Sequence, residues 1–137
     1  MNPQTDVVIA IVVRRGNILI CQRRQNAALG GYWEFPGGKI EPGESREQCL
    51  ERELAEELAI RVRPLKALDS IEFDYSEASI RLHPYICEHV DGEPQPIASQ
   101  RITWVSPREL QNYKFPPAND RLIADLARQY PSHTAIK

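Results

Sequence analysis

From Asp6 to Arg14 the chain reads DVVIAIVVR, a β-branched and apolar run closed by a charge at each end. That run predicts a strand, and Gly16-Asn17 followed by Ile18 to Arg23 predicts its hairpin partner. Asn26 to Gly31 reads as a loop that ends on two glycines before the aromatic segment Tyr32, Trp33 and Phe35. The period then changes. Leu50, Leu54 and Leu58 recur at i, i+4 and i+8, one apolar stripe of a helix whose other positions are mostly charged. Arg61 to Tyr75 and Ala78 to Val90 predict two long strands joined by a polar turn at Ser76-Glu77, and Asp91-Gly92-Glu93-Pro94 is a further turn. Ile102 to Val105 follows as a strand, with Ser106 capping a short helix through Leu110. Phe115-Pro116-Pro117 breaks the chain before a last amphipathic helix with Leu122, Ile123, Leu126 and Ala127 inward, and a loose tail is expected after Tyr130. The order is that of an α+β protein with a sheet between helices, arranged as one domain over residues 1–137.

The polar face of the Leu50 helix changes the picture. Glu44, Glu47, Glu51, Glu53, Glu56 and Glu57 crowd around Arg46 and Arg52. Glu53, Glu56 and Glu57 stand at i, i+3 and i+4, where like charges repel, and they lie near the helix C-terminus, which also disfavours anions. A solvated Glu-rich face is the ordinary account of such a run. The lead-in argues for a divalent cation instead: Phe35-Pro36-Gly37-Gly38-Lys39 and then Glu41-Pro42-Gly43-Glu44 turn the chain tightly into Ser45, whose spacing to Gln48 forms a capping box.

Gly38, Glu44, Arg52, Glu53, Leu54, Glu56, Glu57 and Ile60 carry the spacing of the Nudix hydrolase signature, and the chain resembles that family. One signature position differs: the family's usual glycine before the last apolar residue is Ala59, which is expected to delay or alter the helix C-cap. The resemblance implies the Nudix fold, an α/β/α sandwich with a mixed sheet. Beyond the box, Trp33 to Glu41, Phe115 to Asn119, Arg23 and Trp104 are similar to MutT-type 8-oxo-dGTP diphosphatases. It implies that Glu53, Glu56 and Glu57, with the carbonyl of Gly37 or Gly38, hold Mg²⁺, for which Mn²⁺ can substitute. Glu53 is then the first choice for general base and Glu44 the second, with Arg52 pairing with Glu44 and Lys39 meeting a phosphate. Arg23 and Asn119 inherit contacts to an oxidised purine, with Phe35, Tyr75 and Pro116 as apolar walls. Each has a plainer alternative: Asn119 as a helix N-cap, Arg23 snorkelling at a strand end, the aromatics in the core. The group also places a glutamate where this chain has Ala98, so fewer protein ligands are expected for one metal ion unless Glu93 is brought in.

A net charge of −2 offers no footprint for a nucleic-acid polymer, so the expected partner is a nucleoside triphosphate, cleaved to monophosphate and pyrophosphate. The amino-terminal apolar stretch is too short to span a bilayer and has no cationic lead-in. Cys21, Cys49 and Cys87, three at unpatterned spacing, argue against a disulfide framework or zinc site and for a reducing cytoplasm. A monomer or homodimer fits, and no fused glycosylase is expected. Two other functions share most of these features: a pyrophosphatase for CTP or 5-methyl-dCTP, and a nucleotide sensor with little turnover.

Overall fold

The computed structural model describes residues 4–74 and 78–129. Tyr75, the Ser76-Glu77 turn and the tail after Tyr130 lie outside the described residues. The β-branched run forms β1 (Gln4–Arg14), which turns through Arg15 and Gly16, both at positive φ, into β2 (Asn17–Gln22), with Val13 opposite Ile18. On its other side β1 runs parallel to β7 (Ser79–Asp91), from Gln4 opposite Ser79 to Val13 opposite Glu88. Every other pairing is antiparallel, so the sheet is mixed. Two short strands were not legible from periodicity: β3 (Trp33–Glu34), paired to β2, and β4 (Gly37–Lys39), paired to β1. Strand β5 (Arg61–Ala67) continues the main path, giving the order β3-β2-β1-β7-β5.

Alternation along β1 divides the core between two faces. Val8, Ala10 and Val12 pack with Leu50, Leu54 and Leu58 of α1 (Arg46–Leu58), while Ile9 and Ile11 pack with Leu122, Ile123 and Leu126 of α2 (Asp120–Gln129). Because β1 is covered on both faces, it is apolar at successive positions rather than alternate ones. The three thiols are free and buried.

Three expectations need correction. The single strand proposed for Arg61 to Tyr75 is two, β5 and β6 (Ile71–Asp74), both paired to β7. The break faces Pro84, which has no N–H to give: Leu68 donates to the Pro84 carbonyl at 2.9 Å, the chain leaves the ladder, and pairing resumes at Ile71 opposite Leu82. Ser70 fills the gap by bonding His83 Nδ1 at 2.9 Å, and His83 Nε2 meets Asp6 at 2.9 Å, which satisfies an imidazole that is 3% exposed. Ser106 does cap the next segment, with a capping box to Glu109, but the element is a 3₁₀ helix, Pro107–Asn112, that runs past Leu110. Ala59 does not delay the end of α1. It adopts the left-handed conformation a glycine would take, φ 58 and ψ 35, and returns its N–H to Ala55 and Leu54.

Candidate active site

Strand β4 lies between β1 and α1, and two glycines let it do so. A Cβ on Gly37, whose φ is +156, would stand 2.0 Å from the Val8 carbonyl oxygen. One on Gly38 would stand 1.7 Å from Glu53 Oε2. Glu53 therefore rests its carboxylate directly on the backbone of Gly38, and Glu57 receives the Gly37 N–H. Beneath them Cys49 is fully buried, its thiol 3.3 Å from the Lys39 carbonyl. At the start of α1, Ser45 accepts from Gln48 N–H at 3.0 Å while the Gln48 side chain accepts from Ser45 N–H at 2.9 Å, fixing where the acidic face begins.

Arg52 gathers the remaining carboxylates. Its Nε donates to Glu44 at 2.6 Å, a second donor reaches Glu44 at 3.0 Å, and a third nitrogen meets Glu53 at 3.1 Å and Glu56 at 3.2 Å. The guanidinium lowers the Glu44 pKa to about 2. Glu57 goes the other way, pushed up to about 7 first by burial and then by the charges of Glu53 and Glu34. Glu53 is also raised by burial, with Arg52 opposing. Among the described residues no three His, Cys, Asp or Glu groups converge on one point, because Glu53 and Glu56 lean towards Arg52.

Beside this face lies a cavity of about 330 Å³. It gathers Arg23, Phe35, Gly37, Gly38, Lys39 and Asn119 from segments almost a hundred residues apart in sequence. Phe35 stacks at 5.0 Å on Phe115, and Lys39 is exposed at the rim. Asn119 is 8% exposed and gives its amide N–H to the Pro116 carbonyl at 3.4 Å; its Oδ1 makes no hydrogen bond among the described residues. It ends a 3₁₀ turn, Pro117–Asn119, one residue before α2. Arg23 is bound to Glu34 at 2.7 Å and to the Ala28 carbonyl at 2.6 Å. Tyr75, the other wall named above, is outside the described residues.

Glu34 is the acid that periodicity passes over. It lines the cavity, pairs with Arg23 and acts electrostatically on Glu57 and Cys21, so it joins the Arg23 end of the cavity to the carboxylates. Its only signal was its place within Trp33-Glu34-Phe35. Ala98 sits exposed on the segment from Pro94 to Gln100, which is strapped over the end of α1 by Gln95 N–H to Leu58 and Ile97 N–H to Glu57, tied to the end of β2 by Gln100 N–H to the Gln22 carbonyl, and held by the Arg24 side chain at the Ile97 carbonyl. Glu93 does not replace the absent acid; it pairs at 3.3 Å with Arg14, the last residue of β1, whereas Gly37 lies opposite Ile9 at the middle of that strand.

The NUDIX domain model matches residues 7–125, which takes in every segment just described. The chain belongs to the Nudix family. A CTP pyrophosphohydrolase of Escherichia coli K12 is 39% identical over 118 residues, covering 86% of this chain and 87% of that one. An 8-oxo-dGTP diphosphatase of the same strain is 36% identical over 123 residues, 89% of this chain and 95% of that one. The solution structure of the E. coli ORF135 protein superposes with a TM-score of 0.79 at 37% identity, covering 93% and 92% of the two chains. The fold is thus the Nudix α+β fold, a mixed sheet flanked by helices, and the protein is a Nudix hydrolase. No helix among the described residues is long and apolar enough to cross a membrane.

Proposed function

We propose that the protein hydrolyses nucleoside triphosphates to monophosphate and pyrophosphate, with oxidised purine nucleotides such as 8-oxo-dGTP preferred. The observation that carries this reading is the single cavity in which Arg23, Phe35 and Asn119 stand beside Gly37, Gly38 and Lys39. The Asn119 amide can present an acceptor and a donor to a purine edge, and Arg23 presents fixed N–H donors to carbonyl oxygens. Phe35, held by Phe115, offers an apolar face.

The acidic face fits a hard divalent cation, because its donors are carboxylate and carbonyl oxygens and Glu57, raised by burial and by neighbouring carboxylates, has no cationic partner among the described residues to hold its pKa down. Glu53, Glu56 and Glu57, with the carbonyl of Gly37 or Gly38, would hold Mg²⁺ or Mn²⁺, which when bound neutralises phosphate charge and acidifies water. In this reading Glu53 takes the proton of a water attacking the β-phosphorus as the bond to the α-phosphate oxygen breaks. Glu44 remains the second choice for that proton, though its pairing with Arg52 makes it a weak base. Arg52 holds Glu44 and Glu53 in register, and Lys39 meets a phosphate from the rim.

A second reading, hydrolysis of CTP or 5-methyl-dCTP by the same carboxylates, is favoured by the 39% identity to the CTP pyrophosphohydrolase. The deciding experiment is pyrophosphate release with Mg²⁺ from 8-oxo-dGTP, dGTP, CTP and 5-methyl-dCTP, on the protein and on Asn119→Ala. A kcat/KM ratio of 8-oxo-dGTP to dGTP that is high and collapses in Asn119→Ala supports the purine reading; a cytidine preference replaces it; binding without turnover would make the protein a sensor.

A further inference from the structure

We infer that Leu29, standing at the mouth of the cavity, is a specificity-determining residue that forms the outer apolar wall over the nucleobase. The inference rests on the reading that this cavity takes the base of a nucleoside triphosphate. Leu29 is 45% exposed, one of four large apolar side chains left in solvent among the described residues, and it lines the cavity together with Ala28. Its φ is +54, a left-handed conformation that a residue bearing a Cβ adopts only at a cost, although Gly30 and Gly31 follow immediately. Both features, exposure and strain, work against the folded chain, and neither is repaid by core packing.

The backbone around Leu29 is fastened in place. The Arg23 guanidinium holds the Ala28 carbonyl at 2.6 Å, Gly31 N–H returns to the Arg23 carbonyl at 3.1 Å, and Tyr32 N–H bonds the Leu29 carbonyl at 3.1 Å. The loop is also tied to the opposite lip: Trp33 N–H donates to the Lys114 carbonyl at 2.7 Å, and the Lys114 ammonium lies 4.7 Å from the Tyr32 ring. Pro116, Ala118 and Asn119 follow Lys114 and also line the cavity. The entrance is thus a braced frame of two segments, with Leu29 the exposed apolar group of one and the buried Asn119 in the other. A base entering this frame covers Leu29 and removes its apolar surface from water. Since Arg23 grips both the loop and Glu34, a base that engages Arg23 also seats the Leu29 wall.

The test uses Leu29→Asn, which tolerates positive φ while deleting the apolar group, and Leu29→Ala. For both, KM for the preferred triphosphate should rise about tenfold with kcat within about twofold. Calorimetric affinity for the nucleoside monophosphate should fall by a similar factor, while that for pyrophosphate, which has no base, stays unchanged. The Leu29→Asn melting temperature should match or exceed wild type. Unchanged KM, an equal loss of pyrophosphate affinity, or a clear drop in melting temperature for Leu29→Asn would each overturn the inference. The substrate reading fails separately: if wild type prefers CTP and Leu29 governs KM for CTP, the wall stands and only the base changes.

Discussion

Adjacent glycines in β4 should fail in different ways when given a methyl group, and that contrast tests the placement of Glu53 without altering any carboxylate. In Gly38→Ala the new Cβ would lie 1.7 Å from Glu53 Oε2 and 2.5 Å from its Cδ, against ordinary contact distances of 3.4 Å or more. The obstacle is the end of a flexible side chain, so the conflict is relieved by swinging the Glu53 carboxylate roughly 1.5–2 Å away, with a stability change expected below about 1 kcal/mol. A displacement of that size at a reacting group lowers kcat by about 10²-fold. In Gly37→Ala the Cβ would meet the Val8 carbonyl oxygen at 2.0 Å, and φ is +156. Backbone cannot swing aside as a side chain can, so β4 must leave β1, destabilising the fold by about 2–4 kcal/mol and lowering Tm on the order of 10 °C. Thermal denaturation and steady-state pyrophosphate release on both variants form the assay. A Gly38→Ala enzyme with kcat within threefold of wild type would mean that Glu53, as positioned on Gly38, does not take part in turnover.

The left-handed Ala59 at the end of α1 yields a stabilising substitution. Ala59→Gly should raise stability by about 0.5–1 kcal/mol and Tm by about 2–4 °C, since relief of backbone strain exceeds the added entropy of the unfolded chain; an unchanged or lower Tm contradicts the strain argument. Protein freed of divalent ions should lose stability as pH rises from about 5 to 8. Glu57 binds its proton with a pKa of about 7 when folded against 4.5 unfolded, so the folded state holds the extra proton in that window and ionisation opposes folding. The Tm difference between wild type and Glu57→Gln should therefore widen with pH in the variant's favour, and a constant difference would refute the assignment. Glu44, by contrast, contributes stability above 4.5 that is lost only as pH falls towards 2, outside the same window.

Local chemistry in the chain determined much of what the structure contains. The β-branched run at Val7–Val13, the Leu50-Leu54-Leu58 stripe and the Ser45–Gln48 capping box each act over a few residues, and each formed where its pattern placed it. The spacing of Arg52, Glu53, Glu56 and Glu57 likewise fixed which acids share a helix face, because that depends only on helical period. Tertiary structure decided what needed a partner distant in sequence. The break between β5 and β6 arose from the missing N–H of Pro84 on another strand. The two-residue β3 and three-residue β4 exist because β2 and β1 supply their hydrogen bonds, too short a span for any periodicity to register. Ala59 ended its helix despite its side chain because the chain must turn there to place Ile60 in the core and begin β5. The same holds for Glu34 and Leu29: a carboxylate three residues before two glycines and a leucine in a glycine-rich loop look unremarkable in one dimension. Their meaning depends on the cavity that β1, β4, β7 and the Pro116–Asn119 turn enclose together.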